Sequence, residues 1–169
     1  MCSSDLQVMP SFHGVHHKKS STPTDFTQIG SDIDGEAALD RSGYSVSLSS
    51  DGTIVAIGAY ANDDGGTDAG HVRVYAWNGS AWVKRGNDID GEAADDNSGY
   101  SVSLSSDGTI VAIGAPGNGD SGYGSGHVRV YAWNGSAWVK RGNDINGEAA
   151  YDLSGNSVSL SSDGSILAR

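Results

Sequence analysis

The chain is poor in cysteine, proline and positive charge, and it has no long apolar run. Its single cysteine, Cys2, excludes an intramolecular disulfide framework and leaves the redox compartment unassigned. Lys and Arg total 10 against 21 Asp and Glu, a formal charge of −11. That balance excludes nucleic acid as a partner, because phosphates need a basic patch. It also argues against anionic membrane surfaces. No stretch approaches the roughly 18 apolar residues of a membrane span, so membrane insertion is not expected. The N-terminus lacks the apolar core of a secretory signal. Little follows from this: Met1–Leu6 back-translate into the end of a sequencing adaptor with GTG as start codon, so these residues are excluded from fold reasoning. Helical periodicity is almost absent, and Glu36-Ala37-Ala38 makes one turn at most. The acidity reads as solubility; cation binding is the competing reading.

What the chain has is a repeat. Residues 31–86 and 87–142 align at an offset of 56, and only ten positions differ: 31, 39, 41, 60, 61, 63, 65, 67, 68 and 69. A third copy spans 143–169 and stops short. Residues 7–23 match no repeat; with His13, His16, His17, Lys18 and Lys19 they read, together with 1–6, as a disordered leader rather than a metal tract. Residues 24–30 read as the last strand of a preceding unit, since Phe26 falls where Trp82 and Trp138 fall. A period of this size marks a propeller or another repeat array. Such a unit cannot bury its apolar faces alone, so the piece is expected to expose edges and to associate.

Within a unit the period is two. Ser45-Val46-Ser47-Leu48-Ser49 alternates; Asp51-Gly52 supplies a turn; Thr53–Ile57 is the apolar strand of a sheet buried on both faces. A two-residue turn sets Leu48 opposite Val55 and Val46 opposite Ile57. After a Gly/Asp/Asn-rich loop come His71–Trp77, the hairpin signal Asn78-Gly79, and Ser80–Lys84. Taking Asn78-Gly79 as the turn sets Tyr75 opposite Trp82 and Val74 opposite Val83. The fold class is therefore all-β, an incomplete β-propeller of four-stranded antiparallel blades: about two full blades and parts of two others.

Ser42-Gly43-Tyr44-Ser45-Val46, Gly58-Ala59-Tyr60 (Gly114-Ala115-Pro116 in the second copy) and Gly70-His71-Val72-Arg73-Val74-Tyr75 resemble the FG-GAP repeat, the blade motif of integrin-α-like propellers. The resemblance covers 24–169. It implies a seven-bladed extracellular propeller used for adhesion or ligand binding. The family's first aromatic is Ser42, Ser98 or Ser154 here. Its Asp-x-Asp/Asn-x-Asp-Gly calcium loop is cut to Ser49-Ser50-Asp51-Gly52 and Ser105-Ser106-Asp107-Gly108. One carboxylate cannot supply the six to eight oxygens calcium takes.

The remaining candidates each have a bland reading beside the chemical one. Asp32-Ile33-Asp34-Gly35-Glu36 and Asp88-Ile89-Asp90-Gly91-Glu92 offer oxygens to a cation, but read better as solvated connections. Asp63, Asp64 and Asp68 form an acidic cluster that its counterpart, Gly119, Asp120 and Gly124, does not keep. His71 and His127 read as structural, because no oriented partner for a base is evident. Trp77, Trp82, Trp133 and Trp138 read as blade packing before sugar stacking. No catalytic, cofactor or metal residue is assigned; calcium stays open only through the acidic segments. Seven of the ten differences lie in one loop, 60–69 against 116–125. Loops carry function on rigid scaffolds, so the ligand-binding candidates are Asn62, Asp63, Asp64, Asp68, Asn118, Asp120 and Tyr123.

The expected function is a non-enzymatic propeller module of a secreted or cell-surface protein. It recognises a protein or glycan ligand through inter-strand loops and is completed by further blades of a parent propeller. The alternative is the scaffold of an extracellular, for example glycan-active, propeller enzyme whose catalytic residues lie elsewhere.

Overall fold

The computed structural model describes residues 27–169. The leader at 1–23, and Phe26 with it, lies outside the described residues. The first unit comprises β1 (Ser45–Leu48), β2 (Ile54–Ala59), β3 (His71–Trp77), β4 (Trp82–Lys84) and β5 (Ile89–Asp90). The second repeats it as β6 (Ser101–Leu104), β7 (Ile110–Ala115), β8 (His127–Trp133), β9 (Trp138–Lys140) and β10 (Ile145–Asn146). The third contributes β11 (Ser159–Leu160) and β12 (Leu167–Ala168). No α-helix occurs among the described residues, and so no helix there is long and apolar enough to cross a membrane.

All strand pairs are antiparallel, with β1-β2-β3 in sequence order and both β4 and β5 on the free edge of β3. β4 pairs with Tyr75–Trp77 and β5 with His71 and Val72, while the Arg85 amide donates to the Val74 carbonyl between them. The two pieces are one interrupted strand, and each complete unit is a four-strand meander. The segment 88–92 is thus no solvated connection: Ile89 is buried opposite Val72.

The first hairpin has the register that its turn dictates, with Val46 opposite Ile57 and Leu48 opposite Val55. Asp51 organises it. Its Oδ1 accepts from the Thr53 amide, the Thr53 hydroxyl and the Ser49 hydroxyl, and Gly52 takes φ of 72°. The second hairpin departs from expectation. Trp77, not Tyr75, pairs with Trp82, and Tyr75 pairs with Lys84. The cause is the Asn78 side chain. Its Oδ1 accepts from the Ser80 amide and hydroxyl and from the Ala81 amide, while the Asn78 amide donates to the Ala81 carbonyl. Asn78 therefore closes the strand pair, and Gly79-Ser80 makes the turn.

The core lies between units. Ala56, Val72, Val74 and Ile89 of the first form one cluster with Val102, Leu104, Val111 and Ile113 of the second. The serines that alternate with the valine and leucine in β1 and β6 join neighbouring units. Ser45 Oγ donates to the Gly99 carbonyl at 2.7 Å, and Ser47 Oγ accepts from the Leu104 amide at 3.0 Å. Ser101 and Ser103 do the same to Gly155 and Leu160. A Cβ on Gly58 would sit 2.1 Å from the Gly99 carbonyl oxygen, so this close approach requires glycine. At the outer rim Trp138 Nε1 donates to the Arg85 carbonyl, and the Arg85 guanidinium lies 4.9 Å from the Trp133 ring centre. The tryptophans are packing residues here.

Residues 27–30 are irregular. They stand to the first unit as 83–86 stand to the second: the Ile29 carbonyl accepts from Trp82 Nε1, and Gly30 abuts Trp77 as Gly86 abuts Trp133.

Candidate functional site

The two ends of each sheet differ in kind. One end carries the tight turns Ser49–Thr53 and Asn78–Ala81, whose residues are the same in both complete copies. The other end carries the β2–β3 loop, the β7–β8 loop and the connections 91–100 and 147–158. The unrepeated residues collect there.

Of the loop candidates, Asn62 and Asn118 do not present themselves to a ligand. Each is 3% exposed. Asn62 Nδ2 donates to Asp40 and its Oδ1 accepts from the Asp64 amide; Asn118 does the same with Asp96 and the Asp120 amide. They hold the loop's shape. Asp63 accepts from the Asp68 amide and remains exposed. Asp68 adopts φ of 49°, and its carbonyl accepts from Asn97. Tyr123 is 79% exposed and packs against Tyr151 in a tilted pair with ring centres 5.6 Å apart.

Three further tyrosines, two of them within the FG-GAP-like motifs, meet at this end. Tyr44, Tyr60 and Tyr100 form a triad with ring centres 4.6, 5.0 and 5.4 Å apart, and the Tyr44 and Tyr100 hydroxyls lie 3.0 Å from each other. That hydrogen bond, more than any other influence, raises the Tyr44 pKa. The triad is unique to the first junction, because the next copies hold Pro116 and Asn156. The only available signal was Tyr44 recurring at Tyr100 with an aromatic at the variable position 60. The same end also holds non-glycine residues at positive φ: Leu39 and Arg41, Asp95 and Asn97, Tyr151 and Leu153. Positions 39 and 41 are among those that vary between copies. Strained backbone of this sort tends to gather at functional surfaces.

Three features that read as bland one by one converge here. His71 opens β3, Glu36 follows the acidic segment and Asp64 comes from the β2–β3 loop; one donor atom of each lies within 4.8 Å of the others. In the second unit Glu92, Asp120 and His127 do the same and Asp144 joins them. The histidines therefore have carboxylates from other segments as near neighbours. Arg73 Nη1 lies 3.4 Å from Glu36 Oε1, leaving Oε2 to face His71 Nδ1 at 3.9 Å; Arg129 Nη1 lies 3.0 Å from Glu92 Oε1. Lys84 pairs with Asp88 and Lys140 with Asp144. Burial, aided by Arg129, lowers the His127 pKa and favours neutral imidazole. Burial raises the Asp90 pKa, and the charges of Asp88, Asp64 and Glu36 add to it.

Shallow clefts lie at the outer rim beside the tryptophans. One, about 320 Å³, is lined by Asp32, Asp34, Tyr75 and Trp82. Its repeat, about 310 Å³, is lined by Asp88, Asp90, Tyr131 and Trp138.

These units define a class, an all-β array of four-stranded antiparallel repeats. Residues 32–75 match the FG-GAP repeat family, a similarity that runs from the acidic segment to the middle of β3. No curated protein matches the chain.

Proposed function

We propose that the chain is part of a non-enzymatic β-propeller of a secreted or cell-surface protein, which recognises a protein or glycan through the loop end of its blades. The observation that carries this reading is the segregation of sequence change. Rigid, near-identical sheets hold one end constant, while the exposed Tyr123, the tyrosine triad and the varied loop gather at the other. That is the arrangement of a scaffold presenting recognition loops. The FG-GAP repeat at 32–75 supports the propeller and the extracellular setting. A propeller also accounts for the lateral stacking, since each blade covers its neighbour. The histidine–carboxylate groups recur from unit to unit, and this favours binding over a single asymmetric catalytic centre.

The test immobilises the chain and probes it with a panel of purified glycans and matrix proteins. The comparison is a variant whose first loop carries the second loop's residues (Y60P, A61G, D63G, G65S, T67Y, D68G, A69S). A panel member should bind the parent and lose about tenfold or more in affinity on the swap or on Tyr123→Ser. Binding indifferent to both changes would overturn the reading, as would turnover of a glycan by the chain.

A further inference from the structure

We infer that Glu92, Asp120, His127 and Asp144 bind a divalent transition-metal ion of the zinc type, and that Glu36, Asp64 and His71 form a weaker copy of the same site. The starting point is His127. It is completely buried, and neither ring nitrogen has a hydrogen-bond partner. A buried polar group left in that state is costly, because it has given up water and gained no partner. Its counterpart His71, 1% exposed, likewise has Nδ1 without a hydrogen-bond partner. An imidazole nitrogen among carboxylates is a metal-ligand setting.

The surroundings fit. Glu92 comes from the connection after β5, Asp120 from the β7–β8 loop and Asp144 from the approach to β10. Three separate segments thus aim carboxylates at one histidine, against their mutual repulsion. Arg129 and Lys140 offset two of these three carboxylate charges. The donor atoms already lie within 4.8 Å of one another. A tetrahedral zinc site, with ligands at about 2.0–2.2 Å, spaces its donors by about 3.4 Å. Closing that difference asks little of Glu92 and Asp120, which are exposed.

Repetition supports the assignment. Glu36, Asp64 and His71 recur at the 56-residue offset as Glu92, Asp120 and His127. Of the acidic cluster Asp63, Asp64 and Asp68, the second copy keeps just the member that meets the histidine. One nitrogen and three carboxylates suit zinc or manganese and fall short of calcium's oxygen shell. Asp144 leads into β10 on the edge of the second unit and Glu92 follows β5 of the first, so a bound ion ties the second unit to the connection that enters it.

The experiment is calorimetric titration of the full chain with zinc, manganese and calcium chlorides, beside thermal melting. The chain carries H13A, H16A and H17A to remove the leader histidines. Zinc should bind tightest, calcium least, and zinc should raise Tm by mass action. Asp120→Asn and Asp144→Asn should each weaken the tighter site by about tenfold or more, while Glu148→Gln leaves it unchanged. His127→Gln should abolish that site; because it replaces a core residue, the exposed Asp120→Asn carries the test if this variant does not fold. Absence of zinc binding and of a Tm shift at millimolar zinc overturns the site. So does zinc binding that ignores both aspartate changes.

Discussion

The tetrapeptide Ser-Val-Ser-Leu occurs three times, and the copies that form β1 and β6 meet opposite fates. Val46 and Leu48 are 61% and 58% exposed, whereas Val102 and Leu104 are 9% and 7% exposed. Their in-plane partners are equivalent, Ile57 and Val55 for one, Ile113 and Val111 for the other. Pairing is thus local, and burial belongs to the stack. The first unit covers the Val102 and Leu104 face of β6, while no described residue covers the Val46 and Leu48 face of β1. This is the nearest-neighbour energetics of repeat proteins.

The comparison can be broken most directly with alanine. Leu104→Ala should cost about 2–4 kcal/mol, since it leaves a cavity in the shared core. Leu48→Ala should cost less than about 1 kcal/mol for an exposed position. Urea denaturation reads both. Equal costs would mean that β1 is covered in solution by another copy, and analytical ultracentrifugation would then show the dimer.

A smaller contrast sits at the rim. Arg85 donates to the Gly108 carbonyl and faces both Trp133 and Trp138, at 4.9 and 5.7 Å. Arg141, its repeat, has a long 3.5 Å contact to the Gly164 carbonyl, and the third repeat ends before its own tryptophans. Arg85→Ala should cost about 1–2 kcal/mol from the lost hydrogen bond and cation–π contacts. Arg141→Ala should stay within about 0.5 kcal/mol. Equal effects would show that the tryptophans do not hold the arginine.

Local chemistry made much of the fold legible. Period-two apolarity and Asp51-Gly52 sufficed for the first hairpin and its register, because both act within a few residues. The second hairpin misled for the same reason: Asn-Gly signals a turn, but the three hydrogen bonds accepted by Asn78 moved the turn one residue on. The loop candidates lie at the end of the sheet opposite the tight turns. The asparagines among them were not recognisable as buried, since Asp40 and Asp96 approach from 22 residues away. The histidine–carboxylate group was hidden because its members come from three segments that only the folded unit joins. The tyrosine triad spans 56 residues and was hidden likewise.

The turn that repeats three times sharpens the distinction between local and stacked structure. Asp51, Asp107 and Asp163 each accept from a serine two residues before and from the residue two after, and each is held below its ordinary pKa. For Asp163 the value falls to about 2, the Ser161 hydroxyl being the largest cause. The folded carboxylate therefore binds its proton at lower pH than the unfolded one. The turn's contribution is complete above the ordinary carboxylate pKa of about 4, and drains away as pH falls toward 2. A carboxyl carbon NMR titration should place the Asp163 midpoint near 2, and Ser161→Ala should raise it. The third repeat lacks the outer strands of the others, yet each of the three hydrogen bonds to the Asp163 carboxylate comes from within two residues. An Asp163 midpoint near 4 in the parent chain would mean that even this turn needs a complete unit around it.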